Sequence, residues 1–262
     1  MTEVNKTLYI PLYGKAFVSR KGIILRDEKA EEIWEKAGFD LKGKSRSKWL
    51  AYYMGMRASV FDGWVREKCE ADADAVVIHI GCGLDSRAER VGAANLWYDV
   101  DFPDVIDERR KFFKEKENYT MLPTDVREES WLSSFPRGKN AVVVMEGVTM
   151  YFKNEELRVL LARIAAYFGN VSLLLDAYSV FAAKASKYKN PVNDVGVTTV
   201  YGFDSGEEIC AGTGLLFLGG REITPKEKME ELCGAEKRIF GALYGGSVSK
   251  KMYRIYEYEK VR

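Results

Sequence analysis

The sequence predicts an α/β fold: a doubly wound, mostly parallel sheet of seven strands, with helices before it and an inserted segment near its end. Short apolar runs that suit buried parallel strands alternate with segments of helical periodicity. The clearest strand leads into a glycine-rich turn and a helix cap, and a second strand that ends in an acid follows it. We expect residues 1–262 to form a single domain.

Composition and charge exclude several classes of partner. Lys and Arg number 40 and Asp and Glu 39, so no charge excess favours binding to a nucleic acid or to an anionic membrane surface. The 4 cysteines form no C-x-x-C pair and there is 1 histidine, which argues against a metal site or a disulfide framework. With neither a membrane span nor a signal peptide in the sequence, we expect a cytoplasmic protein. No oligomeric state is indicated.

The N-terminal part, residues 1–72, is predicted to be a helical cap over the sheet. Residues 1–24 are mixed in character and give no clear element. Asp27 to Ala37 reads as a helix that Asp27 caps and Gly38 ends. A longer helix is predicted from about Ser47 to Glu70, with an apolar stripe along one face.

Arg57 lies on that apolar stripe, where a guanidinium is costly unless an anion meets it. Two interpretations stay open. Its side chain reaches solvent or pairs with a protein carboxylate such as Asp62, or it forms a fork for the carboxylate of a ligand.

A glycine-rich turn follows the first predicted strand, Ala75 to Ile80. The glycines of Gly81–Gly83 allow a tight turn and let a ligand approach the bare backbone. Asp85 and Ser86 then offer N-cap oxygens to a helix that starts near Arg87.

The second predicted strand, Leu96 to Val100, ends at Asp101, which lies 20 residues after Gly81. At about this spacing a Rossmann-type unit places a carboxylate against ribose hydroxyls. The sequence therefore predicts a nucleoside site. The alternative is an ordinary strand-to-helix turn with a capping aspartate.

The kind of nucleoside follows from what the turn lacks. A dinucleotide fingerprint has a third glycine where this chain has Ser86. We expect the neighbouring carboxylate of Asp85 to repel a pyrophosphate and to tolerate a cation. S-adenosylmethionine has a sulfonium cation, a ribose and an adenine, and it has no phosphate. A nicotinamide-dependent oxidoreductase and a non-catalytic binding protein are the rival classes.

Residues 73–176 are predicted to form the cofactor-binding core. Its later elements alternate between strand and helix in the manner of a parallel sheet. They are a helix from Pro103 to Lys116, a strand near Tyr119–Leu122, a strand from Ala141 to Met145, a helix that Asn154 caps and Gly169 ends, and a strand from Val171 to Asp176.

Four candidate ligand-binding positions follow successive predicted strands: the glycine turn, Asp101, Asp125 and Glu146. In doubly wound sheets, ligands bind outside the carboxyl ends of the strands. We therefore expect these four positions to lie close together.

The last part of the chain divides into two segments. Residues 177–214 lose the regular pattern and are predicted to be a lid or substrate-binding insertion. Residues 215–262 are predicted to supply the last strands of the core, Leu215 to Ile223 and Met252 to Tyr258, with a helix from Pro225 to Leu232 between them.

Several motifs together resemble the leucine carboxyl methyltransferase family, which also holds O-methyltransferases of polyketide biosynthesis. They are VVIHIGCGLDSR, YDVDFPDVI, TDVRE and VVVMEGVTMYF, with RDEKAEEIW and the Arg57–Asp62 pair in the N-terminal part. The resemblance implies a Rossmann-like class I methyltransferase that uses S-adenosyl-L-methionine.

The resemblance also implies which residues contact the methionine and ribose of the cofactor. Arg57 would bind the methionine carboxylate. The backbone of Gly81, Cys82 and Gly83 would lie against the methionyl and ribose part, and Asp101 would bind the ribose hydroxyls.

At the other end of the cofactor, Asp125 and Val126 would lie at the adenine, and Glu146 near the methionine ammonium. The chain departs from the family in two places. Ser86 stands where threonine is frequent, and the insertion at residues 177–214 does not match that of the protein-modifying members.

The expected activity is O-methylation of a carboxylate or hydroxyl on a small, polyketide-like molecule. Within the family, the alternative is methylation of the C-terminal carboxylate of a protein. A carboxylate is already ionised and needs no base. His79 is expected to be a core residue, and Tyr151 and Tyr201 are candidates for positioning the acceptor on location alone.

Overall fold

A computed structural model describes residues 5–39, 41, 43–186 and 199–260, which form one sheet with helices on both faces. The strands are β1 (Val76–Ile80), β2 (Trp97–Asp101), β3 (Tyr119–Pro123), β4 (Ala141–Met145), β5 (Val171–Tyr178), β6 (Leu216–Arg221) and β7 (Tyr253–Lys260). Their order is β3-β2-β1-β4-β5-β7-β6. The first five strands are parallel, and β7 lies antiparallel between β5 and β6. The predicted doubly wound, mostly parallel sheet of seven strands is confirmed.

The helices of the described residues are α1 (Tyr9–Arg20), α2 (Glu28–Ala37), α3 (Lys48–Ala71), α4 (Arg87–Val91), α5 (Pro103–Arg109), α6 (Asn154–Tyr167), α7 (Val180–Ala185), α8 (Gly206–Cys210), α9 (Lys226–Glu230), α10 (Gly234–Tyr244) and α11 (Ser247–Met252). Apolar side chains of α1 and α3 pack on one face of the sheet and those of α6 on the other, giving two clusters. No helix in this described part is both long and apolar enough to cross a membrane.

The two N-terminal helices that the sequence predicts are confirmed. The carboxylate of Asp27 accepts a hydrogen bond from the backbone N–H of Ala30 at 2.9 Å, as a capping aspartate should. Gly38 ends α2 in the left-handed conformation, at φ 60°. The longer helix, α3, begins and ends within one residue of the prediction.

The sequence does not predict the helix α1, because Pro11 and Gly14 are typical of irregular segments. Pro11 lies in the first turn of α1, where a missing N–H costs little. Gly14 lies where α1 crosses α3 so closely that an added Cβ would be 2.7 Å from the Cβ of Met54. The glycine that looked like a helix breaker therefore permits close packing of two helices.

Two predicted boundaries in the core are wrong. The helix α5 ends at Arg109 rather than Lys116: the chain turns there to bury Phe113 in the core, and Lys116 forms a short bridge with Tyr119. The N-cap of α6 is Lys153 rather than Asn154. The backbone N–H of Lys153 donates to the carboxylate of Glu156 at 3.1 Å, which is half of a capping box.

The C-terminal segment contains more helix than predicted. Between β6 and β7 the chain forms α9, α10 and α11, of which only α9 corresponds to a predicted helix. The ring of Phe240 is fully buried against Tyr52 of α3. The helix α10 therefore packs on the N-terminal helices rather than on the sheet. In the expected insertion, β5 continues to Tyr178 and α7 and α8 follow, while residues 187–198 lie outside the described residues.

Candidate cofactor and acceptor site

A cavity of about 810 Å³ opens at the carboxyl ends of β1, β2 and β4 and extends under α1, α3, α10 and α11. This volume lies within the usual range for ligand sites and is near its upper end. The charged residues of its lining are all on the side of the glycine turn. They are Lys15, Arg57, Asp85, Asp101 and Glu146.

The glycine turn forms one wall of this cavity. Gly81 has φ 69°, and a Cβ there would lie 2.7 Å from Val148. The backbone N–H groups of Gly81 and Cys82 donate to the carbonyl of Val100 at 2.8 and 3.3 Å, and that of Gly83 donates to Asp101 at 2.8 Å. Because the protein itself uses these amides, they are not available to cradle a pyrophosphate. The turn therefore suits a ligand without phosphate.

The structure corrects the role expected of Asp85. Its buried carboxylate lies 2.9 Å from the Lys15 ammonium, 2.7 Å from Arg90 and 3.5 Å from Arg87. Burial opposes the charged form, but the three cations outweigh it and hold the pKa of Asp85 well below its usual range. Because three cations surround it, the carboxylate of Asp85 is a weaker reason than expected to disfavour a phosphate. The occupied amides of the turn are the stronger reason.

Asp101 ends β2 at the cavity wall, where the sequence predicts a ribose contact. Its two oxygens accept hydrogen bonds from the backbone N–H groups of Gly83 and Phe102, both at 2.8 Å. Desolvation outweighs these bonds and raises the pKa of Asp101 to about 6. Each oxygen keeps a second lone pair, so the ionised carboxylate can accept two further hydroxyl donors.

Arg57 is enclosed by protein carboxylates. Its Nε donates to Glu146 at 2.9 Å, and its Nη1 donates to the Tyr253 hydroxyl at 3.0 Å and lies 3.3 Å from Asp176. The sequence-based interpretation that Arg57 pairs with a protein carboxylate is correct, but Asp62 is not the partner. No hydrogen bond joins Nη2 to a described residue, and Nη2 faces Gly147 in the cavity wall.

A buried ion cluster supports this side of the cavity. Arg87 and Arg90, one helical turn apart on α4, bind Asp62 at 2.8 and 2.7 Å, and Arg90 also reaches Asp27 at 2.6 Å. Arg87 also contacts Glu146. Burial opposes ionisation of Glu146, but Arg87 and Arg57 outweigh it and lower its pKa to about 2.

His79 connects the ion cluster to the centre of the sheet. Its Nε2 lies 2.9 Å from Arg87, and its Nδ1 lies 3.2 Å from Asp99. Arg87 is always a donor, so Nε2 accepts and Nδ1–H donates. Burial, followed by the charge of Arg87, lowers the pKa of His79. This neutral imidazole is a structural link, as its place in a strand interior suggests.

Sequence reasoning missed Lys15, Arg87, Arg90 and Asp176. The spacing of Arg87 and Arg90 on a helix after the turn was a usable signal. No signal marked Lys15, because α1 was not recognised. Asp176 ends a predicted strand, as Asp101 does, and its position could have indicated a place in the site.

Three predicted site residues lie away from the described cavity lining. The Asp125 carboxylate is turned to Arg127, whose Nε lies 2.9 Å from it, and Val126 packs into the apolar cluster beneath α6. Tyr201 is bonded through its backbone N–H to Met150. The structure does not bring these residues to the cavity, and their roles stay predictions. Tyr151 does line it, with its hydroxyl 3.0 Å from Thr7.

The side of the cavity away from the glycine turn, here called the acceptor side, is formed by the end of β5, by α7, α10 and α11, and by the start of β7. Its described lining has aromatic, aliphatic and hydroxyl groups and no charged side chain. The rings of Tyr178 and Tyr253 pack there at a tilt of 44°, with their centroids 4.5 Å apart. The cavity thus has a charged half and an apolar, aromatic half.

The strand order β3-β2-β1-β4-β5-β7-β6, with a cavity at the carboxyl ends of the parallel strands, is the fold of the class I methyltransferases. Two solved structures share the fold. A DUF574 family protein from Streptomyces avermitilis has a TM-score of 0.59 at 9% identity, covering 90% of each chain. Magnesium protoporphyrin IX methyltransferase from Synechocystis, solved with bound S-adenosylhomocysteine, has a TM-score of 0.50 at 13% identity, covering 88% of this chain and 94% of the other.

Sequence comparison gives the family. A model of the leucine carboxyl methyltransferase family matches residues 3–165. The tetracenomycin polyketide synthesis O-methyltransferase TcmP of Streptomyces glaucescens is 31% identical over 205 residues, which is 77% of this chain and 76% of TcmP. The chain belongs to the leucine carboxyl methyltransferase family and is an S-adenosylmethionine-dependent O-methyltransferase, as its motifs predicted.

Proposed function

We propose that the charged half of the cavity holds S-adenosylmethionine, with the ribose at Asp101 and the methionine group at Arg57 and Lys15. The observation that carries this proposal is the arrangement of Arg57: three of its contacts are to protein groups, while Nη2 faces the cavity. Gly147 leaves the space in front of Nη2 open, because a Cβ there would lie 3.2 Å from it. When bound, the cofactor supplies a methyl group already activated by the sulfonium charge.

We propose that the acceptor is a small apolar molecule, and that its reacting oxygen is an ionised carboxylate. Neither the described acceptor side nor the tyrosines Tyr53 and Tyr151, which line the cavity beside it, offer a group suited to remove a proton. Desolvation raises the pKa of the Tyr151 hydroxyl to about 12, and it raises the pKa values of Tyr53 and Tyr253 as well. These hydroxyls stay protonated near neutral pH and donate hydrogen bonds, which suits an oxygen that arrives as an anion.

The size and polarity of the acceptor side indicate an extended ring system rather than a short acid. Leu243 and Val248 line the cavity and are still 51% and 68% exposed, so they form an apolar rim at its mouth. A large apolar acceptor would cover this surface. The activity of TcmP, O-methylation in polyketide synthesis, is in keeping with such an acceptor.

The protein contributes to the reaction by positioning the acceptor oxygen relative to the methyl group of the cofactor. Holding an ionised oxygen and a methyl donor in line contributes up to roughly 7–11 kcal/mol in good models, without acid or base catalysis. The apolar walls exclude water, and the tyrosine hydroxyls orient the acceptor.

A cytoplasmic location is proposed as well, since both buried cysteines, Cys69 and Cys82, are free thiols.

The acceptor is tested by methyl transfer from radiolabelled S-adenosylmethionine to matched compounds. The panel pairs polycyclic aromatic carboxylic acids with the corresponding phenols, and includes a peptide that ends in leucine. We expect transfer to the carboxylic acids and a methyl ester as product. Transfer to phenols alone would show that the acceptor is a hydroxyl. In that case the rate should increase with pH until the pH reaches the pKa of the phenol. Transfer to the peptide alone would overturn the small-molecule proposal.

A further inference from the structure

Asp176 is a carboxylate in the second layer of the site, and the activity described so far does not use it. It lies near the end of β5 and is fully buried. Its Oδ1 accepts a hydrogen bond from the Gly147 N–H at 2.7 Å, and its Oδ2 lies 3.3 Å from Arg57. The hydroxyl of Tyr253, which accepts a hydrogen bond from Arg57, also hydrogen-bonds the Asp176 carboxylate but brings no charge to it. A buried carboxylate in this position costs free energy, so a reason for its presence should be sought.

The groups that face Asp176 come from every element packed against it. Arg57 is the one cation in this set, and it is shared with the carboxylate of Glu146. The other titratable neighbours are tyrosines, which are uncharged near neutral pH. They are Tyr53 on α3, Tyr151 after β4, Tyr178 on β5 and Tyr253 on β7.

The charges of the whole ion cluster do not balance. In the described part of the chain, its ion pairs join the four cations Lys15, Arg57, Arg87 and Arg90 to the five carboxylates Asp27, Asp62, Asp85, Glu146 and Asp176. Glu146 has two arginines and Asp85 has three cations, whereas Asp176 has a share of one. The cluster therefore carries one negative charge that no protein cation offsets, and it is centred on Asp176.

We propose that Asp176 is a positioning residue that makes the site prefer the positively charged methyl donor over its uncharged product. S-adenosylmethionine carries a net charge of one because of its sulfonium. S-adenosylhomocysteine has the same ammonium and carboxylate but a neutral thioether. The excess charge at Asp176 balances the donor. When the methyl group leaves, that balance is lost, which favours release of the product. This inference rests on the proposed cofactor site.

The protonation of Asp176 gives the inference a measurable signature. Burial raises the pKa of Asp176 to about 6, although Arg57 opposes this. Binding of a cation nearby favours the ionised form, so the donor should bind with release of a proton below that pH, and its affinity should rise with pH up to about 7. Asp101, whose pKa is also raised to about 6, contacts the ribose that both ligands share. Because Asp101 also lies near the sulfonium, only the part of the pH dependence that Asp176→Asn removes is assigned to Asp176.

The test is calorimetric titration of the wild-type protein with each ligand between about pH 5 and 7, a range chosen around the pKa of about 6. We expect the affinity ratio of donor to product to rise by up to about tenfold across this range, because the ionised fraction of Asp176 rises from about one tenth at its lower end to about nine tenths at its upper end. Titration near pH 6 in two buffers of different ionisation enthalpy should show more protons released with the donor than with the product.

In the variant Asp176→Asn the ratio of donor to product affinity should change less with pH than it does in wild type, and an unchanged pH dependence would assign the effect to Asp101 and overturn the inference. The exposed acid Glu222, which pairs with Lys250, gives the matched control Glu222→Gln, and this control should behave as wild type. Equal pH dependence and equal proton release for the two ligands in wild type would overturn the inference, whether or not Asp176→Asn folds. If neither ligand binds at any pH, the cofactor site itself is wrong, and the inference falls with it.

Discussion

At the scale of single residues, the site depends on charges that are buried together. Arg57 links the ion cluster to the proposed ligand site. Its guanidinium binds Glu146, pairs with Asp176 and directs Nη2 toward the cavity. Buried ion pairs add little to stability when they are intact, but breaking one leaves an uncompensated charge. Residues of this kind are both structural and functional, and their substitution should be measured on both scales.

We expect Arg57→Ala to lower the free energy of unfolding by about 3–5 kcal/mol, because two buried carboxylates lose their shared cation. In protein that still folds, cofactor affinity should fall by about 1.5–3 kcal/mol from loss of a charge-assisted hydrogen bond. Urea denaturation and calorimetry measure the two effects. Arg127→Ala removes an exposed pair with Asp125 and should cost at most about 1 kcal/mol in stability. Unchanged cofactor affinity in Arg57→Ala would refute the assignment of Arg57.

Asp101 gives a prediction about pH. Its pKa is raised to about 6, so it must lose a proton before it accepts the ribose hydroxyls, and S-adenosylhomocysteine should bind more tightly as the pH rises through about 6. In Asp101→Asn this rise should disappear, and the affinity above that pH should fall by about 1.5–3 kcal/mol. Calorimetry at several pH values measures both. A variant that keeps the wild-type pH dependence would show that another group is responsible.

How far these residues were visible in the sequence depended on local pattern. Arg57 was identified because a guanidinium interrupted an apolar stripe, and Asp101 because of its distance from the glycine turn. The surroundings of Asp85 were only partly visible: Arg90 follows it on the next helix, whereas Lys15 reaches it from α1 and only packing brings them together. The charge of an isolated side chain in a sequence therefore says little about the potential that a ligand meets.

At the scale of elements, α1 decides whether the cavity is closed. It carries Lys15 to the glycine turn, and it lies against α3 at Gly14. Its structure was hidden in the sequence because glycine and proline are read as signals for irregular chain, whereas both have specific uses in a packed helix. The helices α10 and α11 were also hidden in the sequence. Phe240 is the one residue that they bury, so they show no apolar stripe.

Gly14→Ala should destabilise the protein and weaken cofactor binding, because its Cβ would overlap Met54 and push α1, with Lys15, away from the site. Overpacking of this kind costs about 1–3 kcal/mol. The matched control is Gly63→Ala on the exposed face of α3, where nothing lies within 4 Å of the added Cβ. That change should stabilise the helix by up to about 1 kcal/mol. Thermal unfolding with and without S-adenosylhomocysteine measures both variants, and a neutral Gly14→Ala would contradict the account of α1.

At the scale of the whole molecule, the order of the strands places the site. The parallel strands β1, β2 and β4 end at one edge, and the chain delivers the turn, Asp101 and Glu146 to it. This topology was predictable, because apolar runs separated by helices leave few alternatives. The division of the cavity into a charged and an apolar half was not predictable, because the acceptor side is assembled from elements whose sequence patterns are weak.

The central claim is that this cavity holds an adenosyl amino acid in one orientation, and a crystal structure of the complex with S-adenosylhomocysteine tests it most directly. The account predicts the ribose hydroxyls within hydrogen-bond distance of Asp101 and the amino-acid carboxylate at Nη2 of Arg57 and Nζ of Lys15. An empty cavity under saturating ligand, or a carboxylate turned away from Arg57, would contradict it.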